Sequence, residues 1–241
     1  MLWKKTWEPE AVLALLGGIV ASFFFGSVAV GLLQHAGVAG FKSDASVGSV
    51  LLMTWSFHGA ALVLGAAFLK FHETSWREVF GPTRWTRCLG LACVALLIAA
   101  PIMFGLKYVS LLALDRLHLD TEDQRAVQLI LGAKLWVRVY LSVWAVVIAP
   151  LAEEFMFRGL LFSLAKRLGW PKVGWYGVSF LFALFHLNAP TFLPLFALAL
   201  ALTWLCEKTD GLLAPVIAHS LFNAVNLVAL LLADKYHYLN P

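Results

Sequence analysis

Tyr140-Leu-Ser-Val-Trp-Ala-Val-Val-Ile-Ala-Pro150-Leu-Ala-Glu153-Glu154-Phe-Met-Phe-Arg158-Gly-Leu-Leu-Phe-Ser-Leu164 is an apolar run whose only charged residues are two adjacent carboxylates and an arginine. A bilayer-spanning helix takes about 20 mostly apolar residues, and this stretch supplies them. Inside such a helix one Asp or Arg costs roughly 2.5–3.5 kcal/mol on the lowest estimates, so ionisable groups there mark functional sites by default. Three of them within six residues require partners elsewhere in the chain.

The rest of the sequence agrees with a membrane setting. Of 241 residues 61% are hydrophobic and 13% charged, with a mean hydropathy of +0.82, whereas soluble domains are roughly 45–50% apolar. These values predict an all-α, polytopic transmembrane helical bundle of about seven to eight spans, an integral multi-pass protein with the lipid bilayer as its first partner. Apolar windows lie near 11–33, 47–71, 88–114, 135–165, 172–188, 192–206 and 212–233. The fourth carries Pro150, which predicts a kink just before the carboxylates. The fifth and sixth are short and separated by Asn188-Ala189-Pro190-Thr191, as in a tight helical hairpin or a partly re-entrant pair. With no repeat, low-complexity tract or long linker, residues 1–241 read as a single membrane domain.

The net charge of +4 does not point to nucleic acid, because the basic residues cluster between apolar spans as anchors. Lys4, Lys5, Lys70, Arg77, Arg84, Arg87, Lys166, Arg167, Lys172 and Lys208 fall on one side of that topology. The other side carries only Lys42, Arg116, Arg125, Lys134 and Lys235, a bias that predicts a cytoplasmic N-terminus. The first apolar run lacks an A-x-A-like cleavage site of the usual placement and reads as a retained helix. Trp3, Trp7, Trp76, Trp85, Trp136 and Trp170 sit where an interfacial aromatic belt belongs. Thr121 and Gln124 resemble a capping box opening a short amphipathic helix in the polar 115–134 connection. Cys88, Cys93 and Cys206 lack paired spacing and read as packing residues rather than a disulfide framework or thiolate metal site. Lys107 and Arg138 are expected to snorkel. His58, midway along the second span, reads as structural, with a cavity-lining role as the alternative.

Helical spacing sorts the remaining polar groups. Glu154 and Arg158 stand at i, i+4 with the acid N-terminal, the favourable order for a same-face ion pair. Glu153 is rotated by about 100° and points elsewhere. Phe182-x-x-x-His186 and His219-x-x-x-Asn223 lie on later apolar segments, with Asn226 continuing the His219 stripe. At 1.5 Å per residue, Glu153 lies about 20 Å, His186 about 21 Å, and His219 and Asn223 about 12–18 Å from their inner helix ends. Three helices can therefore deliver a carboxylate, two imidazoles and a carboxamide to one internal cavity. That inventory suits activation of water: Glu153 as general base, His186 holding or sharing the proton, and His219 with Asn223 as oxyanion donors. Glu154 with Arg158 would brace the pair.

In their order and flanking text, with Glu-Glu-Phe-Met-Phe-Arg-Gly-Leu-Leu-Phe around the carboxylates and Gly-Leu-Leu-Ala-Pro-Val-Ile-Ala-His-Ser-Leu-Phe-Asn before Ala224, these segments resemble the three motifs of the CPBP family of intramembrane endopeptidases. The family contains the type II CAAX prenyl proteases and the bacterial Abi and bacteriocin-processing relatives. The resemblance covers about residues 145–228, which would form a catalytic core. It implies a glutamate-type peptidase with Glu153 and His186 activating water, His219 and Asn223 stabilising the oxyanion, and Glu154 and Arg158 in support. It also implies a membrane-anchored protein or peptide substrate, prenylated or not, cut near its C-terminus. No cofactor and no metal are called for, and the oligomeric state is left open.

The same residues admit three other readings. Glu153, His186 and His219 form a legitimate zinc ligand set, although HExxH is missing and Asn223 then has no task. A proton-coupled transporter would need a relay or matched halves, which residues 1–134 do not offer. A non-proteolytic scaffold or immunity protein would leave the polar groups without catalytic consequence.

Overall fold

The computed structural model describes residues 7–119 and 125–239. Expectations placed on Trp3, Lys4, Lys5, Thr121 and Gln124 lie outside them. Each apolar run is helical, because a backbone in lipid has to satisfy its own N–H and C=O groups. The order is α1 (Pro9–His35), α2 (Val47–Phe71), α3 (Trp76–Phe80), α4 (Trp85–Arg116), α5 (Arg125–Gly132), α6 (Leu135–Arg167), α7 (Val173–Phe185), α8 (Ala189–Thr209) and α9 (Leu213–Leu239). Six are long and apolar enough to cross a membrane, and α7 is a shorter apolar helix. The protein is thus a multi-pass helical membrane bundle of about seven spans, with no strand among the described residues.

Helix α8 occupies the centre: half of its most apolar window is buried, against 11–28% for the other long helices. It packs most extensively on α4. Small residues make that approach possible, with Cys88, Ala92, Ala95 and Ala99 forming a buried stripe on α4 that faces Leu198, Ala199, Leu202 and Leu205. Helices in lipid gain little from a hydrophobic drive and rely on such close packing. Cys206 is also buried, Cys93 is exposed, and all three cysteines are free. The same economy brings α2 against α6, where a Cβ on Gly65 would lie 2.5 Å from the Phe155 ring.

At the Lys166 end the α3 segment docks on the α8–α9 turn. Leu212 N–H donates to Val79 O at 3.1 Å and the Thr83 hydroxyl donates to Thr209 O at 2.7 Å. At the other end Arg138 is tied down by specific partners. Its Nε and Nη2 donate to Ile130 O and Leu131 O at 3.1 and 2.6 Å, and it pairs with Asp234 at 3.5 Å. The reason is local: the last carbonyls of α5 have no intrahelical donors and the guanidinium fork supplies them.

Two local devices position the site. Helices α2 and α6 contain π turns at Trp55–Gly59, Trp144–Ile148 and Phe155–Phe162, which shift the side chains beyond them around the helix. The second turn absorbs Pro150. Ala149 N–H bonds to Trp144 O, and Pro150 has no N–H, so Ala145 O is left without either usual backbone donor. Helix α7 rises only about 20 Å, short of the ~30 Å hydrocarbon thickness, so its C-terminal His186 stops within the bundle. Leu187 then takes φ 46° and Asn188 caps α8, its side-chain oxygen accepting from Thr191 N–H at 3.2 Å. The short pair 172–188 and 192–206 is therefore a tight hairpin of unequal arms.

Candidate active site

Glu154 and Arg158 form the expected i, i+4 pair, with Nη1 donating to Oε1 at 3.0 Å and both side chains fully buried. An ion pair this deep is costly unless its other polar atoms find partners. Glu154 Oε2 is buried without one, and the compensation lies on the arginine side. Arg158 Nη2 donates to Ala199 O at 2.8 Å and Nε to Thr203 Oγ1 at 3.4 Å. The Phe182 ring lies 4.7 Å from the guanidinium carbon, adding a cation–π contact. The planar fork thereby ties α6 to α7 and α8.

Glu154 Oε1 also lies 3.0 Å from His219 Nδ1. A carboxylate only accepts, so Nδ1 carries the proton and His219 Nε2 is turned the other way. That nitrogen faces Glu153, 3.9 Å from Oε2. Oε2 is itself buried without a hydrogen-bond partner. Glu153 Oε1 is 3.2 Å from His58 Nε2, and the Trp144 indole N–H donates to His58 Nδ1 at 3.2 Å. His58 thus contacts the carboxylate directly, the cavity-lining alternative rather than the structural one. The signal available in the sequence was a lone imidazole in the middle of an apolar span.

His186 caps α7, its Nδ1 2.8 Å from Phe182 O. A carbonyl accepts, so Nδ1 is the protonated nitrogen and Nε2 is left as a lone pair. Asn223 donates from Nδ2 to Ala145 O at 2.8 Å, filling the carbonyl stranded by Pro150. Its second amide hydrogen and its Oδ1 are not used in that bond. Phe182, which spacing marks only as core, touches three motif residues: besides Arg158, its ring centroid lies 5.0 Å from His186 and 5.6 Å from His219. Asn226 turns back to Phe222 O at 2.8 Å.

Glu153, His186, His219 and Asn223 line one cavity of about 870 Å³, together with His58 and Trp144. Its walls are mostly apolar, through Val30, Val50, Met53, Leu141 and Leu227, and it reaches Asp44 and Lys107 near the ends of α1 and α4. Glu154 and Arg158 stand behind it. Among the described residues no group of three His, Cys, Asp or Glu side chains is placed to hold a metal ion.

Residues 134–225 match a family model described as type II CAAX prenyl endopeptidase Rce1-like. A curated relative, the UPF0177 protein YxdF of Lactococcus lactis subsp. lactis (strain IL1403), is 33% identical over 96 residues, covering 39% of this chain and 52% of the relative. The chain therefore spans about half the length of the curated relative it matches. No solved structure matches it. His58 lies outside the residues that the family model matches. Over 134–225, the stretch that carries both carboxylates, Arg158, both motif histidines and Asn223, this chain is similar to the type II CAAX prenyl endopeptidase family model, in line with the resemblance its motifs carry.

Proposed function

We propose that the protein is a metal-independent intramembrane endopeptidase that hydrolyses a peptide bond near the C-terminus of a membrane-anchored protein or peptide. The observation that carries this reading is the sharing of one cavity inside an apolar bundle by Glu153, His186, His219 and Asn223. Glu153 Oε2 takes a proton from water as the water oxygen bonds to the scissile carbonyl carbon, and the C=O electron pair moves onto oxygen. The His186 Nε2 lone pair orients the same water and shares its proton. The oxyanion receives hydrogen bonds from Asn223 Nδ2 and from His219 Nε2, which donates only when the ring carries both protons. Such a donor in a water-poor site lowers the barrier by about 2.7–4 kcal/mol. Collapse breaks the C–N bond, and the leaving amine takes the proton held by Glu153, giving a new carboxyl end and a free amine.

The expected cytoplasmic N-terminus places the Asp44 end of the cavity on the opposite membrane face, so the scissile bond enters from that side. The test uses purified protein in lipid nanodiscs with two peptides, one farnesylated on the cysteine of a C-terminal CAAX sequence and one unmodified. Mass spectrometry should show a single cut near the C-terminus in excess chelator, lost in Glu153→Ala and His186→Ala. Activity lost on chelation and restored by zinc would favour the metalloprotease. A cellular phenotype unchanged by Glu153→Gln would favour the scaffold.

A further inference from the structure

Trp144, His58 and Glu153 form a hydrogen-bonded chain between α6, α2 and α6 again, closed over 86 and 95 residues of sequence. Its direction follows from chemistry. An indole N–H only donates, so His58 Nδ1 accepts from Trp144 and the ring proton sits on Nε2. Nε2–H therefore donates to Glu153 Oε1, while Oε2, buried beside His219, accepts no hydrogen bond. The chain is itself held in place. Trp144 packs edge-on against Trp55 at 5.2 Å and tilted against Tyr140 at 5.3 Å. The Tyr140 hydroxyl lies 2.8 Å from Thr54 Oγ1. Both Trp144 and His58 sit in π turns, features that recur at functional positions.

We propose that His58 is a positioning residue for Glu153, its Trp144-anchored Nε2–H holding Oε1 so that the carboxylate keeps one orientation with Oε2 unbonded and ready to take a proton. This rests on the reading of Glu153 as the general base. The physical need is clear: the terminal torsion of a glutamate is broad and nearly two-fold, so an unheld carboxylate samples many orientations. A reacting group misplaced by about 1 Å can lose about 10²-fold in rate. His186 and His219 do not supply this restraint, since their Nδ1 protons go to Phe182 O and Glu154.

The experiment compares kcat and KM for wild type, His58→Leu, His58→Gln, Trp144→Phe and Glu153→Ala in the nanodisc assay with the two peptides. His58→Leu should lower kcat about 10²-fold with KM little changed. Glutamine places an N–H donor close to the imidazole Nε2, so His58→Gln should recover most of that loss, which an apolar filler cannot do. Trp144→Phe should lower kcat by a smaller factor, because the imidazole loses the bond that fixes its tautomer. If Glu153→Ala is inactive while His58→Leu keeps wild-type kcat, or if His58→Gln is as poor as His58→Leu, the positioning role is overturned and the peptidase reading stands. Wild type as inactive as Glu153→Ala would overturn the reading and the catalytic role together. ¹⁵N-histidine spectra of the full chain read the hydrogen bond without turnover: a single Nε2–H proton on His58, displaced in Trp144→Phe, is expected, and an Nδ1–H tautomer would overturn it.

Discussion

His219 Nδ1 and Arg158 Nη1 both lie 3.0 Å from one oxygen of Glu154. The second carboxylate of the Glu153-Glu154 pair thus joins its own helix to α9, and it holds the histidine that faces Glu153. Spacing alone pairs Glu154 with Arg158; the structure adds His219.

Removing one member of this buried set strands the others. Glu154→Ala should destabilise the protein by about 3–5 kcal/mol, read as the shift in denaturant or thermal unfolding in micelles. Arg158→Lys should fail to rescue, because a single ammonium cannot serve Glu154, Ala199 O and Thr203 in their fixed directions. Equal stability of Arg158→Lys and wild type would refute the fork.

Asn223 has one observed task, the bond to Ala145 O, and one proposed task at the oxyanion, and a single substitution tests both. Asn223→Ala should cost about 1–3 kcal/mol by leaving Ala145 O unpaired, and should lower kcat by about 10²–10³-fold through loss of an oxyanion donor. Unfolding and peptide turnover measured on the same preparation check both. Loss of stability without loss of rate would leave Asn223 purely structural.

Leu187 holds a left-handed backbone at φ 46° and its side chain is 88% exposed. A left-handed conformation costs a residue with a Cβ roughly 1–2 kcal/mol. Leu187→Gly should therefore raise the unfolding midpoint or leave it unchanged, in spite of the added unfolded-state entropy. A marked fall would mean that the α7–α8 turn does not need this geometry.

Gly65 allows α2 to reach the Phe155 ring beside the carboxylates. Gly65→Ala places a methyl 2.5 Å from that buried ring, and overpacking of this kind costs about 1–3 kcal/mol. Thermal unfolding should show the loss, together with reduced turnover as Phe155 pushes on the neighbouring Glu154.

The cavity mouth gives a test of orientation. Ala45 is exposed in the turn beside Asp44, so Ala45→Cys should react with a membrane-impermeant maleimide in intact cells. Labelling only after lysis would reverse the proposed topology.

Much of this was legible from spacing, and the residues show why. Glu154 with Arg158 lie four apart on one helix, and helical rise alone makes such residues neighbours. The same logic placed His219 and Asn223 on a common stripe, and both line the cavity. It favoured a structural His58 over a cavity-lining one, because the contact with Glu153 closes over 95 residues and depends on π turns that alter side-chain direction without an obvious sequence signal. Phe182 was legible as core, yet its contacts with Arg158, His186 and His219 arise only when α7, α6 and α9 pack together. Asn226 shared the predicted stripe but satisfies itself on Phe222 O.

The sequence by itself determined that this chain is an all-helical membrane bundle and which helices carry its polar groups, because the bilayer accepts only self-satisfied backbone and helical periodicity is local. Tertiary structure alone decided which oxygen and which nitrogen each group has left to use. Glu153 keeps Oε2, His219 and His186 keep Nε2, and Asn223 keeps part of its amide, because each remaining atom is engaged by a partner on another helix, by a carbonyl one turn away, or by one that Pro150 left without a donor. Hydrogen-bond direction in a water-poor interior is set by those partners, and spacing along one chain does not encode them.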